Sequence, residues 1–202
     1  ASGSGTTGNI PGWTFASNLT GADIIGVATV TATKNSCTSA PMVFNITLKA
    51  QPVLTNPGAQ SVCAGQAVSI TWVTNTPGSV ISWSNDNSAI GLGIGPSTGD
   101  ISFTTASNVT GIPVTGNITA TATRNGCVSA AVNFAISVQP TPVLTQQVDI
   151  TACPSATHST INFVTNADPE TSYVWNVTNS AALGLASGSG TTGNIPGWTF
   201  AS

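Results

Sequence analysis

The chain repeats itself, and the repetition limits the folds open to it. Residues 1–17, ASGSGTTGNIPGWTFAS, return letter for letter as residues 186–202, an offset of 185. A finer spacing lies inside that one. QPVLT at 51–55 returns as TPVLT at 141–145, Cys37 as Cys127, Cys63 as Cys153, and Asn18-Leu19-Thr20 as Asn108-Val109-Thr110, each 90 positions on. Trp83 finds its match at Trp175, 92 positions on. The longer period therefore holds two similar units of unequal length. Self-similarity at a fixed spacing is the mark of a repeat architecture. The expected division is the back part of one unit at 1–50, a complete unit at 51–140 and the front part of the next at 141–202. A unit of that size is an ordinary domain. On this reading the chain is one period, plus a short overlap, of a longer periodic polymer.

Composition narrows the class. Only 4% of residues are charged and 40% are hydrophobic. A disordered chain shows the opposite balance. Three basic residues, Lys34, Lys49 and Arg124, are too few for counterion-release binding to nucleic acid. No apolar run approaches the roughly 20 residues of a membrane span. Neither nucleic acid nor membrane insertion is expected. A surface wetted by hydroxyls and amides instead of charges points to an extracellular material, and low charge favours association.

The hydrophobic pattern is that of strands. AVSITWV (67–73), SVISWS (79–84), DISFTT (100–105), NITATAT (117–123) and AVNFAIS (131–137) alternate, separated by NTPG, GIGPSTG, NVTGIP and RNG. Short alternating runs between turn signals predict a β-sandwich. No segment keeps a helical period for three turns.

The stretch SVCAGQAVSITWVTNTPGSVISWS, continued by NITATATRNGCVSAAVNFAISVQPTP, resembles the PKD-like, immunoglobulin-like repeats of giant bacterial surface proteins exported by the type IX route. Cys63-Ala64-Gly65, Trp83, Asn125-Gly126-Cys127 and Pro140 carry the resemblance. Cys153-Pro154-Ser155 and Asn35-Ser36-Cys37 depart from it, so the second unit type is a divergent relative. The resemblance implies tandem sandwiches of about seven strands each, arrayed end to end in an adhesin or surface filament, and no enzyme activity.

Four cysteines, two per unit, suggest an oxidising compartment. Zinc is poorly supported, with no C-x-x-C pair and His158 the single histidine. In an immunoglobulin-like unit, Cys63 would sit at the end where the chain leaves and Cys127 at the end where it arrives. A strand length, roughly 20–30 Å, would then divide them, against a Cα limit of about 7 Å for a disulfide. The favoured pairing joins successive units across their seams, so that Cys37, Cys63, Cys127 and Cys153 each find a partner in an adjacent repeat. A pair within one unit and free thiols are the alternatives.

Trp83 and Trp175 match the third-strand tryptophan of a sandwich core. Trp13 and Trp198 align with Phe103 and are expected to pack likewise. Trp72 faces Asn162 in the alignment, so its exposure and a sugar-stacking role stay open. Asp23, Asp86, Asp100, Asp149, Asp168 and Glu170 are scattered, with no D-x-D-x-D run for calcium. Gly91-Leu92-Gly93-Ile94-Gly95 lacks the strand-to-helix setting of a dinucleotide site. Five N-x-T sequons, at Asn18, Asn45, Asn108, Asn117 and Asn176, are read as structural. The short connectors TLKAQPVLT (47–55) and SVQPTPVLT (137–145) carry proline and little slack.

These features predict no catalytic residue, cofactor or metal. They predict a structural segment of an extracellular filament or cell-surface stalk whose partners are copies of itself. The second expectation is an adhesin repeat that grips surface glycans directly.

Overall fold

The computed structural model describes residues 8–167, 171–186 and 188–202. The described residues are all-β apart from one 3-10 turn, Ser88–Ile90. No helix among them is long and apolar enough to cross a membrane.

The first stretch holds β1 (Ile24–Val30), β2 (Thr33–Lys34), β3 (Cys37–Thr38) and β4 (Met42–Leu48). The middle holds β5 (Gln60–Cys63), β6 (Ala67–Ile70), β7 (Val80–Asn85), β8 (Ser97–Thr98), β9 (Ile101–Thr104), β10 (Val114–Arg124), β11 (Cys127–Val128) and β12 (Val132–Gln139). The last stretch holds only two-residue strands: β13 (Thr157–His158), β14 (Ile161–Asn162), β15 (Trp175–Asn176), β16 (Ser189–Gly190), β17 (Asn194–Ile195) and β18 (Trp198–Thr199).

In the middle stretch one sheet runs β5-β12-β10-β7-β8, with β11 on β10, and a second pairs β6 with β9. Side-chain alternation sets which faces meet. Ile118, Ala120 and Ala122 of β10 and Phe134, Ile136 and Val138 of β12 point inward, while Thr115, Asn117 and Thr119 face water. Val68 and Ile70 of β6, Ile101 of β9 and Ile81 and Trp83 of β7 complete the same core. This is a two-sheet, sandwich-like packing. The first strand runs parallel to the last, with Gln60 beside Ile136 and Cys63 beside Gln139.

Local chemistry holds the loop after β7. Asn85 is buried. Its amide nitrogen donates to the Asn87 and Leu92 carbonyls at 2.8 and 2.9 Å. Asn87 caps the 3-10 turn by accepting from the Ala89 N–H, which seats Ile90 fully inside. Gly116 lies under this turn, where a Cβ would meet Ile90 Cδ1 at 2.8 Å. Asp86 accepts from Asn117 twice, from the backbone N–H at 2.7 Å and the side-chain amide at 2.8 Å.

Two details differ from the sequence reading. The strand foreseen at 67–73 ends at Ile70. The Trp72 N–H that would extend it donates instead to Asp100 Oδ1 at 3.1 Å. Strands β5 and β8 and the 3-10 turn had no clear pattern of their own, since each is fixed by a partner and not by alternation.

The flanks follow the same registers without the same cover. Gly26↔Ile46 and Ala28↔Phe44 in β1–β4 repeat Gly116↔Ile136 and Ile118↔Phe134 in β10–β12. Thr157↔Thr199 and Ile161↔Ile195 repeat the β6–β9 pairing of Ala67 with Thr104.

Two outcomes follow for stability. Ile136→Ala empties a fully buried site and should cost about 2–5 kcal/mol. Ile46→Ala, at the matching but only half-buried position, should cost clearly less, as denaturant midpoints would show. The Asn117 side chain and then its backbone N–H hold the Asp86 carboxyl below the ordinary aspartate range. A depressed folded value means the contribution is present above the unfolded pKa, about 4. It is lost as pH falls through the lower folded value. Asp86→Asn should flatten that acid limb in a pH series of unfolding midpoints.

Candidate functional site

The most elaborate polar arrangement lies where one stretch hands over to the next, and it occurs twice. It begins with the sequence Asn-x-Thr-Gly. Asn108 is only 2% exposed, so its amide must be satisfied internally. Its nitrogen donates to the carbonyls of Ile112 and Val138, both at 2.9 Å. Its oxygen accepts from the Thr110 N–H at 3.1 Å and the Thr110 hydroxyl at 2.7 Å. Two donors and two lone pairs are the full capacity of the group. Asn18, also 2% exposed, repeats all four bonds with Ala22, Leu48 and Thr20.

The corner built this way grips the following stretch. The Asn18 carbonyl accepts from the Gln51 N–H at 2.8 Å, and the Asn108 carbonyl from the Thr141 N–H at 2.8 Å. A second asparagine closes each seam from the far side. Asn75 accepts from the Val53 N–H at 2.7 Å and donates to the Leu19 carbonyl at 2.8 Å. Asn166 accepts from the Val143 N–H at 2.7 Å and donates to the Val109 carbonyl at 2.8 Å. The bridges Leu54↔Thr74 and Leu144↔Thr165 lie beside them.

The contact is too close for a side chain. Gly21 has φ +85° and Gly111 φ +83°. A Cβ on either would run into the backbone carbonyl of Asn75 or Asn166. Glycine is needed at both positions for conformation and for approach.

The first seam has further ties. Lys49 Nζ donates to the Asn125 carbonyl and Gln51 Nε2 to the Val128 carbonyl, both at 2.9 Å, drawing in the β10–β11 turn. The Ala50 N–H donates to Asp23 Oδ1 at 2.8 Å. Pro113 and Pro140 stand at the matching places of the second seam, and proline has no N–H to repeat that bond.

The residues singled out from sequence are placed as follows. Cys37, Cys63 and Cys153 are exposed, Cys127 is half-buried, and all four are free. The expected disulfides are therefore not present within the chain. Their assigned partners lie outside residues 1–202. Cys63 stands beside Gln139 at one end of β12, and Cys127 five residues before Val132 at the other. Trp83 is buried and donates from Nε1 to the Gly99 carbonyl at 3.0 Å. Phe103 packs against the same core. Trp175 and Trp198 are half-buried, each with its indole nitrogen buried and unpartnered.

Trp13 departs from the expected packing and is 53% exposed. Trp72 is half-buried, edge-on to Phe134 at 5.9 Å, and its indole N–H is committed to the Gly99 carbonyl.

Asp23, Asp86 and Asp100 each accept a backbone N–H. Asp168 and Glu170 lie outside the described residues. No group of three or more His, Cys, Asp or Glu suited to a metal occurs among the described residues. His158 stacks on Trp198 at 5.0 Å and bonds the Ser159 carbonyl through Nδ1. Two sequon asparagines, Asn18 and Asn108, prove to be the buried corners. Asn45, Asn117 and Asn176 are exposed. No protein-family model and no curated protein sequence matches the chain.

Asn18 and Asn108 stand 90 residues apart and Asn75 and Asn166 stand 91 apart, a recurrence that by itself marks only the repeat. Asn75 and Asn166 act across a boundary, and spacing alone does not reveal that. Replacing Asn166 by Ala removes three seam bonds, to Val143, Val109 and Thr141, while leaving the β5–β12 core untouched. Limited proteolysis should then cut sooner between 139 and 145, with the unfolding midpoint of the middle stretch little changed. Asn108→Ala should instead lower that midpoint, by about 1–3 kcal/mol, because it strands buried carbonyls.

Proposed function

We propose that the chain is a structural segment of an extracellular filament or cell-surface stalk, built of tandem immunoglobulin-like sandwiches and giving reach and stiffness. One observation carries this reading: the same asparagine-glycine clamp is made at both seams, 90 residues apart. A clamp that recurs at every boundary fixes each unit on its neighbour, and a row of such units is quasi-one-dimensional. The strand order, with the first strand parallel to the last and a separate β6–β9 sheet, suits an immunoglobulin-like unit. It also puts arrival and departure at opposite ends, as an end-to-end array requires. The very low charge and the four cysteines, two per unit, favour an extracellular setting.

The seam geometry also supports disulfides between successive repeats. Lys49 occupies the place in its unit that Gln139 occupies in the next. Gln139 is the cross-strand partner of Cys63, and Lys49 reaches the turn that carries Cys127. A cysteine at the departing end of one unit is thereby brought toward the arriving turn of its successor. On this reading Cys63 pairs with Cys37 of the following period, and Cys127 with Cys153 of the preceding one.

A chain carrying two consecutive periods tests both points. Small-angle scattering should show its length growing by about 36 Å per unit, the length of the 11-residue β10 at about 3.3 Å per residue. Non-reducing peptide maps should join Cys63 to Cys37 of the next period. A flexible-chain scattering profile would refute the rod, and a Cys63–Cys127 peptide from one unit would refute the seam pairing.

A further inference from the structure

A cleft opens in the middle stretch where β6 breaks off. We infer that it binds a neutral saccharide. The inference goes beyond the structural role proposed above, and it does not depend on how the chain continues, because the whole lining lies within residues 72–100. The seams bear this out. At the second seam the bonds of Asn166, the counterpart of Asn75, run to Val109, Thr141 and Val143 and not to β5–β9. A seam is thus made by the back of the stretch before it. At the first seam that back is in place, with Leu19 and Val53 on Asn75, and the cleft stays open.

The cleft has a local origin. β6 stops at Ile70, and the Trp72 N–H turns to Asp100 Oδ1 at 3.1 Å. Beyond that point a space of about 590 Å³ lies between the end of β6 and strands β7 and β8, lined by Trp72, Thr74, Ser79, Thr98 and Asp100 among others. Its size is that of an ordinary small-molecule site.

The lining fixes the chemistry of the occupant. Trp72 is half-buried and held three ways, by Asp100, by the Gly99 carbonyl at 3.0 Å from its indole nitrogen, and edge-on by Phe134. With both donors spent, it offers the cleft ring carbon alone. The Gly99 carbonyl also accepts from Trp83, so it is full. Thr74 and Ser79 both donate to the Thr76 carbonyl at 2.8 Å. The 2.6 Å contact between Ser79 and Thr76 therefore uses the Thr76 proton. These hydroxyls keep lone pairs and no free proton. Asp100 Oδ2 and the Thr98 hydroxyl take no partner among the described residues.

A fitting ligand must donate hydrogen bonds and present an apolar face to the indole. Lys34, Lys49 and Arg124, the chain's basic residues, do not line the cleft, so phosphate or carboxylate finds no counter-charge. A simple cation gains little from one exposed carboxylate. A purely apolar ligand leaves the acceptors unpaired. A pyranose meets every requirement. Its hydroxyls donate to Asp100 Oδ2, Thr98, Thr74 and Ser79, while its C–H groups, slightly positive, suit the negative face of an aromatic ring.

The test titrates the isotope-labelled 202-residue chain with cellotriose, triacetylchitotriose and mannotriose, and with trigalacturonate as the charged comparison, each to about 10 mM. At least one neutral trisaccharide should shift the Trp72 indole signal and the Gly99 and Asp100 amides, and trigalacturonate should shift none of them. Thr98→Val keeps the shape and removes the free hydroxyl. Asp100→Asn keeps an oxygen for the Trp72 N–H. Each should weaken binding severalfold, and Trp72→Ala by roughly tenfold, with amide spectra showing the fold intact. If Trp72→Ala does not fold, the other two variants decide. The site is overturned by no shift with any neutral trisaccharide, by shifts that fall elsewhere, by equal binding of trigalacturonate, or by binding unchanged in Thr98→Val and Asp100→Asn.

Discussion

The hairpin of β10 and β12 is the element on which the rest depends. It supplies partners on both sides, β7 along one edge and β5 along the other, and lays one apolar face over β6 and β9. A strand without a neighbour has unpaired N–H and C=O groups and an uncovered side-chain row. Beside the hairpin of the middle stretch, β5 runs four residues and β7 six. In 141–202, where it is absent, the same sequence pattern gives strands of two residues.

The seams solve a different problem. Two units joined by a short connector must bury backbone groups at the joint without a hydrophobic core to hold them. Asparagine is suited to this because one side chain offers two donors and two acceptor sites. Asn18 and Asn108 spend theirs inside their own unit, shaping the corner. Asn75 and Asn166 spend theirs across the boundary. Glycine at 21 and 111 lets the two backbones approach. The division of labour explains why four asparagines and two glycines recur with the repeat while the charged pair Asp23 and Lys49 does not.

The fold class was legible from alternation. AVSITWV, NITATAT and AVNFAIS alternate with period two, and the turns NTPG and RNG bound the strands. What sequence could not show was every feature that depends on a neighbour. β5 is a strand because β12 lies beside it. Trp13 is exposed and Phe103 half-covered although they align, because exposure is a property of the partner and not of the residue. The sequons at Asn18 and Asn108 were readable as motifs. That they fold into buried corners became visible only when Leu48 and Val138 were brought beside them from 30 residues away.

The choice of amides over ions at the seams has a physical consequence. A salt bridge at an exposed joint is screened by salt and is worth little, about 0–1 kcal/mol. The seams use mostly neutral hydrogen bonds, short in range and indifferent to ionic strength, with Lys49 and Asp23 confined to one of the two. Such a joint holds equally in dilute and saline water. The same scarcity of charge leaves sheet edges without the repulsion that ordinarily keeps them apart. On the proposed filament reading, a chain stiffened by amides along its axis is also one whose flanks resist association least. On that reading axial order and side-by-side contact would be two results of one composition.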